Sequence, residues 1–440
     1  MIRRLFAAGL ILCASAYAQS VIPNTPGEVK TFAIRGATIH PVTSAPIERG
    51  TLVIADGKIA LVAGEGAAIP ADAEVIDGTG LHVYPGMIDS LTNIGLTEIS
   101  SVRGSVDTSE VGDYNANARA TAALNPHSEL IPVTRVNGVT TVLSAPEGGI
   151  ISGQSALINL AGWTPGEMVV KAPVGLHLSF PRLRSGGWSA PEGEEAEKEA
   201  KKGYERKLEE LRTRFRDAQA WEKAVAARGV DPSLPPIEAD LGLAAMAEAA
   251  SGRIPVIVHA DFARDIRAAV AFSREMGLRM ILSGGAHVQE VTDLLAREKI
   301  PVLLGPILAL PPREDDPYDL IFSNAAALHA AGIPFAIQSA DSHNSRNLPY
   351  HAAACAAFGL PKEEALRAIT INPARIFGVD ALIGSLEAGK LANVIVADGD
   401  PLEITTSVLH VFIAGERMSS DSRHTLLYDK FRQRPPVRRP

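Results

Sequence analysis

At 440 residues the chain is long enough for one large domain and a smaller companion. A hydrophobic content of 46% with 21% charged residues is ordinary for a globular enzyme. The net charge of -8 and an isoelectric point near 5.8 exclude the basic face that a nucleic acid or an anionic membrane selects.

The N-terminus reads as an export signal over residues 1–18. Arg3 and Arg4 are its charged region, Leu5 to Ala14 its apolar region, and Ala16-Tyr17-Ala18 its small-residue cleavage site. The apolar run is too short for a stable membrane anchor. Leu12 before Cys13 is too large for a lipoprotein signal, so the expected destination is the periplasm or the outside of the cell. Cleavage leaves Cys355 as a single thiol in an alanine-rich helical stretch, where it reads as a buried structural residue.

After a Pro/Ser/Thr-rich lead, short β-type segments are expected at Thr31–Ile34, Thr51–Ile54, Lys58–Val62 and Glu74–Ile76, parted by turns such as Ala55-Asp56-Gly57. Over residues 85–378, apolar runs alternate with helical stretches, the pattern of a parallel (β/α)₈ barrel. Its eight strands are read at Met87–Thr92, Thr140–Ser144, Ala156–Leu160, Gly175–Phe180, Pro255–His259, Met280–Ser283, Pro301–Gly305 and Pro334–Ser339. The stretch Glu192–Arg228 carries helix-stabilising Glu/Lys pairs, with Leu208, Leu211, Phe215 and Ala218 at helical spacing. It reads as an amphipathic helix packed on the barrel, or else as a lid or dimer contact. Two closing strands, Asn393–Ala397 and Val408–Ile413, complete the pattern. The predicted class is therefore α/β: a TIM-like barrel with a small β-sandwich built from residues 19–84 and 379–420. A tail, residues 421–440, follows, and its basic end from Arg432 to Arg439 reads as a frayed terminus.

The segment Tyr84-Pro85-Gly86-Met87-Ile88-Asp89-Ser90-Leu91-Thr92-Asn93 resembles the first barrel strand of the amidohydrolase superfamily. Gly384-Ser385-Leu386-Glu387-Ala388-Gly389-Lys390, Asp398-Gly399-Asp400-Pro401-Leu402 and the helix Ala365–Ala374 are similar to that superfamily as well, in its imidazolonepropionase-like branch. The likeness spans about Thr31 to Arg417. The resemblance implies metal-binding histidines at strand ends, yet Leu91 and Asn93 stand where the family has a His-x-His pair. Gly284 stands where it has the histidine of strand six. Leucine binds no cation, and an Asn amide oxygen is a weak ligand for zinc-like metals.

The resemblance retains His259 at the end of strand five and Asp341 at the end of strand eight. His177 stands where the family has a lysine. These three are the expected metal ligands, for one divalent cation of zinc type, with Asp341 also receiving the proton of the attacking water. Arg135, Gln154 and His287 are the candidate substrate contacts, each with a structural alternative. The glycine-rich stretch Ser144–Ser155 lies on the catalytic side as a turn or a ligand-binding loop.

The implied function is a hydrolase of C–N bonds in a small amide, lactam or dipeptide, using a reduced single-metal site. The chain would act as a homo-oligomer or paired with a homologous chain. The alternative is a catalytically silent barrel that binds a ligand or partners an intact homologue.

Overall fold

The computed structural model describes residue 27 and residues 29–183 and 194–435. The expected export signal and the last residues of the basic tail lie outside the described residues.

The chain opens with β1 (Phe32–Ile39), β2 (Ile47–Ala55), β3 (Lys58–Ala63), β4 (Glu74–Asp77) and β5 (His82–Pro85). The central part supplies β6 (Met87–Thr92), β7 (Val139–Ser144), β8 (Ile151–Gln154), β9 (Ala156–Asn159), β10 (Val169–Lys171) and β11 (Leu176–Ser179). It continues through β12 (Val256–Ala260), β13 (Met280–Gly284), β14 (Val302–Leu304) and β15 (Phe335–Ile337). The chain returns through β16 (Val394–Ala397), β17 (Val408–Ile413) and β18 (Glu416–Met418). Counting described helices of six residues or more, α1 is Leu130–Arg135, α2 Glu194–Val230, α3 Leu241–Ala250 and α4 Ala263–Met276. They are followed by α5 (Thr292–Glu298), α6 (Leu320–Ala330), α7 (Leu348–Ala357), α8 (Lys362–Arg367), α9 (Ile371–Phe377) and α10 (Arg423–Arg432).

The terminal strands form one eight-stranded sheet, in the order β18-β17-β16-β5-β1-β2-β3 with β4 paired to β1. The two ends meet where β16 runs antiparallel to β5. Phe32 of β1 and Phe412 of β17 pack edge to face at 5.1 Å in the core of this sheet. A single sheet therefore stands where a two-sheet sandwich was expected. Its seam with the central part is polar. Asn393 donates to Thr141 Oγ1 at 3.0 Å and Asn159 Oδ1 at 2.8 Å, and accepts from the Ala414 N–H at 2.8 Å.

The central strands form two sheets, β10-β9-β7-β6 and β15-β14-β13-β12-β11-β8. β11 to β15 are all parallel, each joined to the next through helices, as are β6 and β7. β8 and β9 run antiparallel to their neighbours, which corrects the expectation of eight parallel strands. No ladder among the described residues closes the ring. Isolated bonds lie at the gaps instead: Ala340 N–H to Leu91 C=O at 3.0 Å, and Val174 N–H to Ser155 C=O at 2.9 Å with Ser155 N–H to Gly175 C=O at 3.1 Å. Strand alternation sorts the side chains. Ile88, Leu143, Ile257, Ile281, Leu303 and Ala336 pack together with Phe377 of α9, while Val256, Val258, Leu282 and Leu304 pack outward on the helices.

The long helix α2 buries Leu211, Phe215 and Ala218 on one stripe. Phe215 meets Phe272 of α4 at 5.9 Å, and Arg212 bonds Glu275 at 2.9 Å. Asp240 caps α3 by accepting the Leu243 N–H at 2.8 Å. The stripe is thus spent on packing against the barrel's helical layer.

Candidate active site at the carboxyl ends of the strands

Seven central strands, β6, β7 and β11 to β15, end at one cavity of about 300 Å³. Its wall takes Thr92 from β6, Ser179 from β11, His259 from β12, Ser283 from β13, and Gly305 and Gln338 from just past β14 and β15. Ligand sites in α/β barrels form where strand carboxyl ends converge in this way.

His177 lies in register with Ile257, so it faces the same interior, and His259 is two residues further along the same face. The two imidazoles meet, with His177 Nδ1 2.9 Å from His259 Nε2. Burial drives His177 well below its ordinary range and brings His259 down to about 4. Both rings are neutral at pH 7. His177 Nε2 is buried and has no partner among the described residues. Ser283 donates to Gln338 Oε1 at 3.1 Å, and Gln338 donates to the Gly305 carbonyl at 2.9 Å, which fixes the floor.

Two carboxylates border the same cavity. Asp261, half-buried, is raised by burial, partly offset by Arg182, whose Nη2 lies 3.6 Å away, and by the N–H groups of Ala286 and Gly285. Glu147 accepts from Asn93 Nδ2 at 3.2 Å and is also raised by burial.

Asp341 is placed differently. Its carboxylate turns onto its own loop, accepting from the His343 N–H at 2.7 Å, the Asn344 N–H at 3.2 Å and Asn344 Nδ2 at 2.9 Å. Burial raises its pKa, and these bonds more than offset the effect, leaving it below the usual carboxylate range. It is not among the residues lining the cavity. Arg135 closes α1 at the amino end of β7, the far end from the cavity, where it is buried and donates to the Leu160 carbonyl at 3.4 Å. Gln154 ends β8 and lines a second cavity of about 750 Å³. His287 ties two loops together, with Nε2 2.9 Å from Asp316 and Nδ1 3.2 Å from Glu290. The structure thus brings together His177 and His259 and leaves Asp341, Arg135, Gln154 and His287 apart from them.

This arrangement bears on the expected metal. A catalytic zinc takes three protein ligands. Among the described residues no three His, Cys, Asp or Glu side chains converge as a metal site. Two nitrogens meet here, and they meet each other. The donor set does not fit the single-metal site expected, because Asp341, its third member, is held elsewhere.

Residues 83–418 match the amidohydrolase family. The chain belongs to that family. An amidohydrolase from Thermotoga maritima has the same architecture, with a TM-score of 0.77 and 28% identity over 88% of this chain and 99% of that one. Amidohydrolase tasK from Hapsidospora irregularis is 25% identical over 408 residues, 85% of this chain and 40% of its own length. The chain thus spans about two-fifths of that curated relative. An adenosine deaminase from Xanthomonas campestris, solved with bound zinc, shares the fold alone. Its TM-score is 0.51 at 17% identity, over 92% of this chain and 99% of that one. Members of the amidohydrolase family commonly hold a divalent metal such as zinc.

Sequence reasoning passed over Asp261, Arg182, Ser283 and Gln338. Asp261 follows His259 by two positions, and its acidic character at a strand end was the available signal. Glu147 lay inside the glycine-rich stretch already singled out. Gly148 and Gly149, at φ +87° and +65°, make the turn that sets it at the cavity.

Proposed function

We propose that the chain hydrolyses C–N bonds of a small amide, lactam or peptide-like substrate bound in the 300 Å³ cavity. The observation that carries this reading is the convergence of His259, Asp261 and Glu147 on a cavity at the strand ends of an amidohydrolase-family chain. In the tautomer where His177 donates to His259, His259 carries its proton on Nδ1, which bonds to no described residue. A neutral imidazole so placed polarises a substrate carbonyl without adding charge. Asp261 takes the proton of a water whose oxygen attacks the carbonyl carbon. It then passes that proton to the leaving nitrogen as the C–N bond breaks.

We assign the proton to Asp261 in preference to Asp341, because Asp261 borders the cavity and Asp341 is engaged by three donors of its own loop. The test is amine release from a panel of N-acetyl amino acids, dipeptides and lactams. Asp261→Asn is expected to lose turnover by about 100-fold or more, a usual size for a positioned acid–base group, and Asp341→Asn is expected to retain it. The reverse order would return the role to Asp341.

The metal dependence expected from the resemblance is not carried into this mechanism, since its donor set is one short. The same shortage favours a second reading, a barrel that binds its ligand without turnover. A panel that yields binding but no amine would establish it. No helix among the described residues is long and apolar enough to cross a membrane. Export is proposed on the sequence of residues 1–18 alone. Homo-oligomerisation, or pairing with a homologous chain, is proposed on the resemblance alone.

A further inference from the structure

We infer that the cavity is built for a substrate bearing a positive charge, an ammonium or guanidinium group, with Glu147 as its counter-ion. The inference rests on the cavity being the substrate site. Glu147 is exposed on the cavity wall and fixed through one oxygen by Asn93. No basic side chain pairs with it among the described residues. Asp261, by contrast, has Arg182 at 3.6 Å. Crowding by protein raises the Glu147 carboxyl, with no charged neighbour contributing. A carboxylate so placed gains most from a cation that arrives with the ligand.

The surroundings extend the preference. The 750 Å³ cavity shares Pro146 and Ser152 with the smaller one and is lined by Asp107, Glu110 and Glu248 against a single Arg119. The two cavities adjoin at those residues, and acidic walls beside the site concentrate cations and repel anions.

Three six-carbon amides test the inference by equilibrium calorimetry on the whole chain: the cationic 6-aminohexanamide, the neutral hexanamide and the anionic adipamate. The cationic amide is expected to bind at least about tenfold more tightly than hexanamide, an increment typical of a charge-assisted hydrogen bond. Glu147→Gln should erase that gap and leave hexanamide affinity and the thermal midpoint unchanged. Equal binding of all three, tighter binding of adipamate through Arg182, or a gap that survives Glu147→Gln overturns it. Ammonia release is followed separately. Selective binding without ammonia contradicts the hydrolase reading and leaves the cation preference standing, whereas ammonia release without selectivity does the opposite.

Discussion

Asp261 Oδ1 lies 2.5 Å from the point where a side chain on Gly284 would begin. The position where the resemblance would place a strand-six histidine is thus filled from the neighbouring strand end, and Gly284 sits at φ +98°, a conformation that L side chains rarely adopt. Gly284→His therefore does not restore the missing ligand. The variant should be destabilised by about 2 kcal/mol or more through strain and displacement of Asp261, and should gain no zinc affinity. Thermal unfolding with and without zinc checks both parts. A stable variant that binds zinc would show that Asp261 yields the space freely.

The neutral His177–His259 pair makes a second prediction. Two nitrogens without a third donor give weak metal retention, so purified chain should hold well under one equivalent of zinc, manganese or iron by elemental mass spectrometry. Added zinc should leave the thermal midpoint unmoved. A full equivalent, lost in His259→Ala, would mean that Asp341 or another group closes onto the pair when metal is present.

Asp89 of β6 is buried and accepts from Ser339 Oγ at 2.5 Å, Ser345 Oγ at 2.6 Å, the Ser339 N–H at 3.0 Å and the Leu91 N–H at 3.3 Å. Burial outweighs these bonds and pushes its carboxyl up to about 6 from 3.8. A raised carboxyl favours the folded state when protonated, so its contribution is full below pH 3.8 and is lost as pH rises through 6. His259, lowered from 6.5 to about 4, works oppositely, its contribution being present above pH 6.5 and lost as pH falls through 4. The stability deficit of Asp89→Asn relative to wild type should then shrink by roughly 2 kcal/mol between pH 4 and pH 7. Urea unfolding at several pH values measures it, and a deficit independent of pH contradicts the assignment.

Much of the architecture is legible from local pattern. The apolar runs from Met87 to Gln338 fall on β6, β7, β9 and β11 to β15, because strands covered on both faces leave an uninterrupted apolar signature. Direction is not local. Ala156–Asn159 reads as a strand in either sense, and only pairing with β7 shows it to be antiparallel. The strand Ile151–Gln154 was hidden in a glycine-rich stretch that resembles a turn. At the site, Leu91, Asn93 and Gly284 stood out in the sequence as departures from the pattern the resemblance implies. Their replacements did not, since Glu147 reaches Asn93 across 54 positions and Asp261 reaches Gly284 across a strand boundary. Asp341 sits at the expected strand end, but its side-chain direction is set by the Asn344 and His343 amides of the following turn.

The long helix α2 is a packing element, and Phe215 is fully buried against Phe272. Phe215→Ala should cost about 3 kcal/mol or more and open α2 to limited proteolysis, while leaving the affinity of a bound amide unchanged. A change in ligand affinity at unchanged stability would instead make α2 a lid.

The most direct measurement is amine release from the amide panel by wild type and by His259→Gln, with the fold of each confirmed by circular dichroism. The expected result is measurable turnover by wild type that falls by about 100-fold or more in the variant, since His259 is the imidazole at the cavity. Turnover undiminished by His259→Gln, or none by wild type on any member of the panel, would contradict hydrolysis at this site.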